Sequence, residues 1–182
     1  ILAQYSGWGG LSDAFEPNKD SWHSEYTELK SLLTEEEYAA ARSSTLTAFY
    51  TPPEVIDAMY TTLRKMGVGA GTILEPSMGA GAFFGQSHSY LYEPTTRLFG
   101  VELDSLTGRI ARQLYQKANI QITGFEKADL PDSFFDVVIG NVPFGDYSVV
   151  DPQYNRLHFK IHDYFFAKSI DKLRTGGIIA FI

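Results

Sequence analysis

The sequence has no cysteine, few methionines and tryptophans, and fewer basic than acidic residues. Without cysteine there can be no disulfide and no thiolate metal site, so structural zinc of the finger type is excluded, and the same absence agrees with a reducing compartment. With 15 Lys and Arg against 22 Asp and Glu, the formal charge is −7. No general basic field exists to hold a polyanion, and a nucleic-acid partner would need a grip supplied by another part. No apolar run reaches the length of a membrane span, and the amino end has neither a basic leader nor a cleavage pattern. A soluble, cytoplasmic protein without membrane contact is expected. Repeats and low-complexity tracts are also missing.

What is present is 44% hydrophobic, 20% charged and 14% aromatic, the composition of a packed domain, and 182 residues suffice for one main fold with an appendage. The sequence opens on Ile1 and stops inside the apolar run Ile178-Ile179-Ala180-Phe181-Ile182, so a piece of a longer polypeptide is expected. Residues 1–46 read as a small helical appendage. It has a glycine-rich, aromatic opening (Tyr5-Ser6-Gly7-Trp8-Gly9-Gly10), then polar text, then a helix through Tyr38 to Arg42 started by the capping box Thr34-Glu35-Glu36-Glu37. Thr51-Pro52-Pro53-Glu54 has the form of a second capping box. The helix after it, ending at Gly67, would turn Val55, Ile56, Met59, Leu63 and Met66 to the core.

Beyond Gly67, strands and helices alternate. Thr72-Ile73-Leu74, Arg97 to Val101, Ile120-Gln121-Ile122, Phe135 to Ile139 and the run from Ile178 read as strands. One helix, capped by Ser105, places Ile110, Leu114 and Ala118 toward the core; another, about His158 to Arg174, carries Ile161, Phe165, Phe166, Ile170 and Leu173. Continuous apolar strands between helices predict a parallel sheet covered on both faces. The expected fold of residues 47–182 is therefore α/β, a doubly wound Rossmann-like core missing its last strands.

In such sheets ligands bind beyond the carboxyl ends of the strands. After the first strand comes Glu75-Pro76-Ser77-Met78-Gly79-Ala80-Gly81, where Gly79 and Gly81 would let backbone approach a ligand and the following helix would point free amides at it. Gly85 falls four residues after Gly81 rather than three, and the loop opens on an acid and a proline, which departs from a dinucleotide fingerprint. Glu102 ends the second strand, where a carboxylate accepts ribose hydroxyls. Asp129, after the third strand, is a candidate acceptor for an adenine amino group. After the fourth strand stands Gly140-Asn141-Val142-Pro143-Phe144-Gly145; a turn accounts for Asn, Pro and Gly but not for an aromatic among them. His158 and His162 have the i, i+4 spacing of metal ligands but no third ligand, so a helix face is the better account and no metal is expected. The polar, basic stretch Tyr154, Asn155, Arg156, His158 and Lys160 reads as a solvated loop.

Asn141 to Phe144 resembles the Asn-Pro-Pro-aromatic motif of the S-adenosylmethionine-dependent methyltransferases that modify exocyclic amino groups. The resemblance covers about residues 47–182: Phe49-Tyr50-Thr51-Pro52 is similar to the family's leading motif, Leu74-Glu75-Pro76 with Gly79 and Gly81 to its cofactor loop, and Glu102 to its ribose acceptor. The motif order is similar to that of adenine-N6 DNA methyltransferases with target recognition at the carboxyl side. More narrowly, Asn141 to Tyr147 and His162-Asp163-Tyr164-Phe165-Phe166 resemble the large methylase-helicase fusion proteins of phages and conjugative elements.

The resemblance implies S-adenosylmethionine as cofactor, held by Tyr50, Thr51, Glu75, Pro76, Ser77, Gly79, Gly81, Glu102, Leu103 and Asp129. It implies methyl transfer to the N6 amino group of adenine in DNA by Asn141, Val142, Pro143 and Phe144, with Phe144 stacked on a base drawn out of the duplex. DNA would be gripped through further carboxyl-terminal regions, within a larger polypeptide that includes a helicase. Val142 stands where the family usually has its first proline; it keeps the backbone carbonyl that, beside the Asn141 side-chain carbonyl, accepts an amine hydrogen, and Pro143 steers it to the extended region. Two other readings stay open: the same chemistry on a protein glutamine or an RNA amine, and a non-catalytic methyltransferase-like module within a helicase or antirestriction protein.

Overall fold

Short apolar strands between helices sort this chain into layers. A computed structural model describes residues 5, 7–45, 51–90 and 94–182. Its sheet contains β1 (Thr72–Glu75), β2 (Arg97–Glu102), β3 (Asn119–Ile122), β4 (Phe135–Gly140) and β5 (Leu173–Phe181), all parallel, in the order β3-β2-β1-β4-β5. In a strand, neighbouring side chains point to opposite faces. Leu74 and Val138 enter one cluster with Tyr164 and Phe165, whereas Ile73, Val137 and Ile139 enter another with Ile56, Tyr60 and Phe83. Both faces are covered, which is why the strands are apolar throughout. The chain is thus an α/β protein with a five-stranded, all-parallel, Rossmann-like sheet. Phe135 is fully buried and edge-on to Phe99 and Phe134; truncating such a side chain to alanine costs about 3–5 kcal/mol.

The helices are α1 (His23–Leu32), α2 (Glu35–Ser44), α3 (Pro53–Lys65), α4 (Ala82–Tyr90), α5 (Ser105–Leu114) and α6 (Ile161–Lys172). β2 and β3 lie on one side of β1, and β4 and β5 on the other. The carboxyl ends of β1 and β4 therefore flank the switch point, the place where such sheets open a crevice.

Several local expectations are corrected. The box at Thr34 forms with both of its bonds, but the one at Thr51 does not: Pro52 is the N-cap of α3 and no side chain caps it. The core face of α3 is Ile56, Tyr60 and Leu63, while Val55 and Met66 are exposed. Tyr60 can be buried because its hydroxyl donates to the Phe83 carbonyl at 3.0 Å. Asp104, not Ser105, caps α5, its carboxylate accepting from the Leu106 and Thr107 amides. The buried face of α5 is Thr107, Gly108 and Ala111 rather than Ile110 and Leu114, because a Cβ at Gly108 would lie 2.8 Å from Ile122 and only its absence lets the helix seat there. α6 starts at Ile161 and buries Ile161, Tyr164, Phe165, Lys168 and Ser169 on one face, which leaves Phe166 and Ile170 exposed; Lys168 is accommodated there by an ion pair with Asp151 at 3.0 Å. His158 lies before the helix with φ 50°, so it shares no helical face with His162. β5 begins at Leu173 but jumps register: Phe135 faces Leu173, whereas Val137 faces Ile178. Among the described residues no helix is long and apolar enough to cross a membrane.

Candidate active site

The switch point opens into a cavity of about 630 Å³ lined by the turns after β1, β2, β3 and β4, within the size range of small-molecule sites. Gly79, in the turn after β1, has φ 55°, and a Cβ built there would meet nothing within 4 Å. Its amide donates to Glu102 Oε2 at 2.7 Å, and Glu102 Oε1 accepts from the Asp104 amide at 2.8 Å. One carboxylate thus ties the glycine turn to the end of β2. A carboxylate offers about four lone-pair directions, so acceptor capacity remains for a ligand's hydroxyl.

Two acids stand here, one buried and one part-buried. Glu75, at the end of β1, is 1% exposed and its Oε2 has no hydrogen-bond partner among the described residues. Burial, and secondarily the charge of Glu102, push its carboxyl well above the ordinary range. Burial likewise pushes Glu102 up to about 7, against the opposing pull of the Asp104 and Gly79 amides. A buried acid without a partner, such as Glu75, is stabilised when a cation or a donor stands beside it.

At the other end, Asn141 follows β4, and its Nδ2 donates to Thr51 Oγ1 at 3.3 Å. Thr51 therefore orients the Asn141 amide instead of capping α3. Val142 is 5% exposed and packs with Tyr154, Ile161 and Phe165, which anchors the loop while Asn141 and Pro143 line the cavity. Phe144 is 56% exposed, so it is not a core aromatic under the loop. The following segment is pinned to α6 by the Ile161 amide donating to the Tyr147 carbonyl at 2.9 Å, and Tyr147 lines the same cavity.

Of the residues expected at the site, Thr51, Glu75, Pro76, Ser77, Gly79, Glu102, Leu103, Asn141, Val142 and Pro143 line the cavity. Tyr50, with Phe49, lies outside the described residues. Gly81 does not line it; a Cβ there would fall 2.4 Å from the Tyr115 ring, whose hydroxyl donates to the Gly81 carbonyl at 2.7 Å. Its glycine serves packing against Tyr115. Asp129 is exposed and its backbone is held outward by the Gln121 side chain, through bonds of 2.7 and 2.9 Å. The acid on the lining after β3 is Glu126, carried in by the 3₁₀ turn Phe125–Lys127. Sequence reasoning also passed over Tyr5 and Tyr115 on the lining. Proximity to β3 was the available signal for Glu126; for the two tyrosines there was none.

A parallel sheet whose crevice carries a glycine turn, a carboxylate at the end of β2 and an Asn-Val-Pro-Phe loop after β4 defines a methyltransferase-type core. Residues 32–173 match the N-6 DNA Methylase family, and the chain belongs to that family. It is 30% identical over 139 residues to the "Defense against restriction protein B" of Escherichia phage P1, a match covering 74% of this chain and 6% of the phage protein, so it spans a small part of that relative. Among solved structures, a type I restriction-modification methyltransferase subunit from Streptococcus thermophilus shares the fold with a TM-score of 0.57, at 19% identity, over 88% of this chain and 42% of that one.

Proposed function

We propose that this chain binds S-adenosylmethionine in the cavity and transfers its methyl group to the N6 amino group of adenine in DNA. The observation that carries the reading is that one cavity holds both Glu102, with spare acceptor capacity, and Asn141, with its amide already oriented by Thr51. The residues present fit the cofactor. The open space at Gly79 admits backbone approach, the Glu102 carboxylate suits ribose hydroxyls, and the unpaired Glu75 carboxyl suits a ligand that carries positive charge. When bound, the cofactor supplies an activated methyl group on a sulfonium centre.

The chain's own part in the transfer is electrostatic and positional. An adenine amino nitrogen is a poor nucleophile because its lone pair is spread into the ring. The Asn141 side-chain carbonyl and the Val142 backbone carbonyl would each accept one amine hydrogen, favouring rehybridisation and stabilising the positive charge that develops on nitrogen. The nitrogen–methyl bond forms as the methyl–sulfur bond breaks to leave a neutral thioether, and the surplus amine proton passes to water. No strong base is required, and alignment supplies much of the rest. Phe144 is exposed at the loop and offers a planar face to a base that has left its stack, which favours a nucleobase over a glutamine side chain.

The test is calorimetry with S-adenosylmethionine, followed by transfer of labelled methyl groups to unpaired adenine, duplex DNA, RNA and a glutamine peptide. Binding with label on adenine in DNA is expected. Given the net charge of −7, unpaired substrate should be labelled before duplex, since extracting a base costs a few kcal/mol that phosphate contacts must offset. Label on the peptide or RNA alone would overturn the substrate; binding without any transfer would favour a non-catalytic module.

A further inference from the structure

The aromatic opening of the chain has no role in that mechanism, yet it stands at the cavity. Tyr5 and Gly7 line it, together with Ala40, Ser43 and Ser44 of α2. The Tyr5 hydroxyl lies 3.0 Å from Thr107 Oγ1, and Thr107 Oγ1 donates to the Asp104 carboxylate. A threonine hydroxyl has one proton, and that of Thr107 is committed to Asp104, so Tyr5 must be the donor to Thr107. Asp104 is also bonded through its amide to Glu102, which places Tyr5 at the Glu102 end of the cavity. Burial, with the charges of Asp104 and Glu102, pushes the Tyr5 hydroxyl up to about 12, so it stays a neutral donor at physiological pH.

Three further contacts hold the segment there. Arg109 of α5 pairs with Glu37 of α2 at 2.8 Å. Trp8 meets Tyr5 edge-on at 5.9 Å and Phe15 at 5.6 Å, and Phe15 is 1% exposed in a cluster with Tyr38 of α2.

We propose, resting on the methyltransferase reading above, that the amino-terminal segment is a wall of the cofactor cavity and that Tyr5 is a further binding residue, covering the nucleoside end of the ligand. Excluding water at the Glu102 end lowers the local dielectric and strengthens the hydrogen bonds made there. The wall acts on ligand release more than on capture, since a contact that forms after entry mainly slows dissociation.

The two tryptophans, Trp8 and Trp22, both lie in this segment, so indole fluorescence reports on the wall without any substitution. The whole chain is titrated with S-adenosylmethionine and, separately, with 5′-methylthioadenosine, which has the nucleoside but no amino-acid part, by calorimetry and by fluorescence. Indole emission should change with the calorimetric midpoint for both ligands. Tyr5→Ala should weaken both by about 10-fold, and Tyr5→Phe, which keeps the ring and loses one neutral hydrogen bond, by about 2- to 10-fold. Unchanged affinity in folded Tyr5→Ala, or binding with no indole response in the unsubstituted chain, overturns the wall and leaves the cofactor reading standing. Loss confined to S-adenosylmethionine overturns the placement at the nucleoside end. If the unsubstituted chain binds neither ligand, the cofactor reading falls and the wall with it.

Discussion

The two ends of the cavity are built differently. Around Glu75, Gly79 and Glu102 the site is closed in: Glu75 is buried, and the Glu102 carboxylate is held by the backbone amides of Gly79 and Asp104. Beyond Asn141 the surface opens: Phe144, Tyr147, Val150 and Leu157 are all exposed. A small ligand can be enclosed by a preformed pocket, whereas a base attached to a polymer must arrive from outside. On the proposed reading, the contrast predicts that binding the small ligand and reaching the base are separable, so that each can be removed without the other.

The sharpest break should come at Asn141. Asn141→Ala is expected to leave the cofactor dissociation constant unchanged and to reduce single-turnover methyl transfer about 100-fold or more, as when one preorganised hydrogen-bonding group is removed from a charge-stabilising site. Equal loss of binding and transfer would mean that the two ends are not separable.

Next in size is the difference between the two glycines of the β1 turn. Gly81→Ala drives a Cβ into the Tyr115 ring and strains φ 86°, an overpacking cost of about 1–3 kcal/mol. Gly79→Ala strains φ 55° without a clash, about 1–2 kcal/mol, and projects a methyl group into the cavity. Thermal unfolding should fall further for Gly81→Ala, and cofactor affinity further for Gly79→Ala. Tyr115→Ala combined with Gly81→Ala should be non-additive by about 1 kcal/mol; strict additivity would remove Tyr115 as the reason for that glycine.

The smallest effect is a pH dependence of opposite sign in stability and affinity. Because the folded Glu102 carboxyl lies at about 7, above its ordinary 4.5, the folded chain holds more protons than the unfolded one between those values. Its stabilising contribution is full below about 4.5 and is lost as pH rises through 7. The ligand-free melting temperature should therefore drift down over this window, with Glu75 acting in the same direction. Affinity for a cationic ligand with ribose hydroxyls should rise, because the ionised acid is the better acceptor. Glu102→Gln should flatten both trends; a melting temperature that rises across the window would contradict the burial of these acids.

Much of the sheet was legible because both of its faces are covered, leaving runs such as Phe135 to Ile139 in which every register is apolar or paired. The helices were less so. In α5 the contact face is set by small residues, Thr107, Gly108 and Ala111, and smallness does not show as hydrophobic periodicity. In α6 a lysine is buried through an ion pair whose partner, Asp151, lies 17 residues away. The site followed the same rule. The ends of β1, β2 and β4 carry expected residues to the cavity lining, whereas after β3 an intervening 3₁₀ turn brings Glu126, which no pattern singled out, to the lining in place of Asp129. Tyr5 reaches Thr107 across 102 positions of sequence, a distance over which no local pattern carries information.

The place of β1 at the centre of the sheet has a consequence for synthesis. Its partners are β2, shortly after it, and β4, whose Val137 pairs with Ile73 only after a long interval of chain. During translation Leu74, fully buried in the final structure, has one flank of its strand unpaired until β4 leaves the ribosome, about 3–13 s later at ordinary elongation rates. Through that interval a nascent edge of Thr72-Ile73-Leu74 is open to pairing with other chains. Slower elongation across residues 76–134 would lengthen the exposure and should lower the soluble yield, whereas a chaperone bound to the nascent strand should restore it.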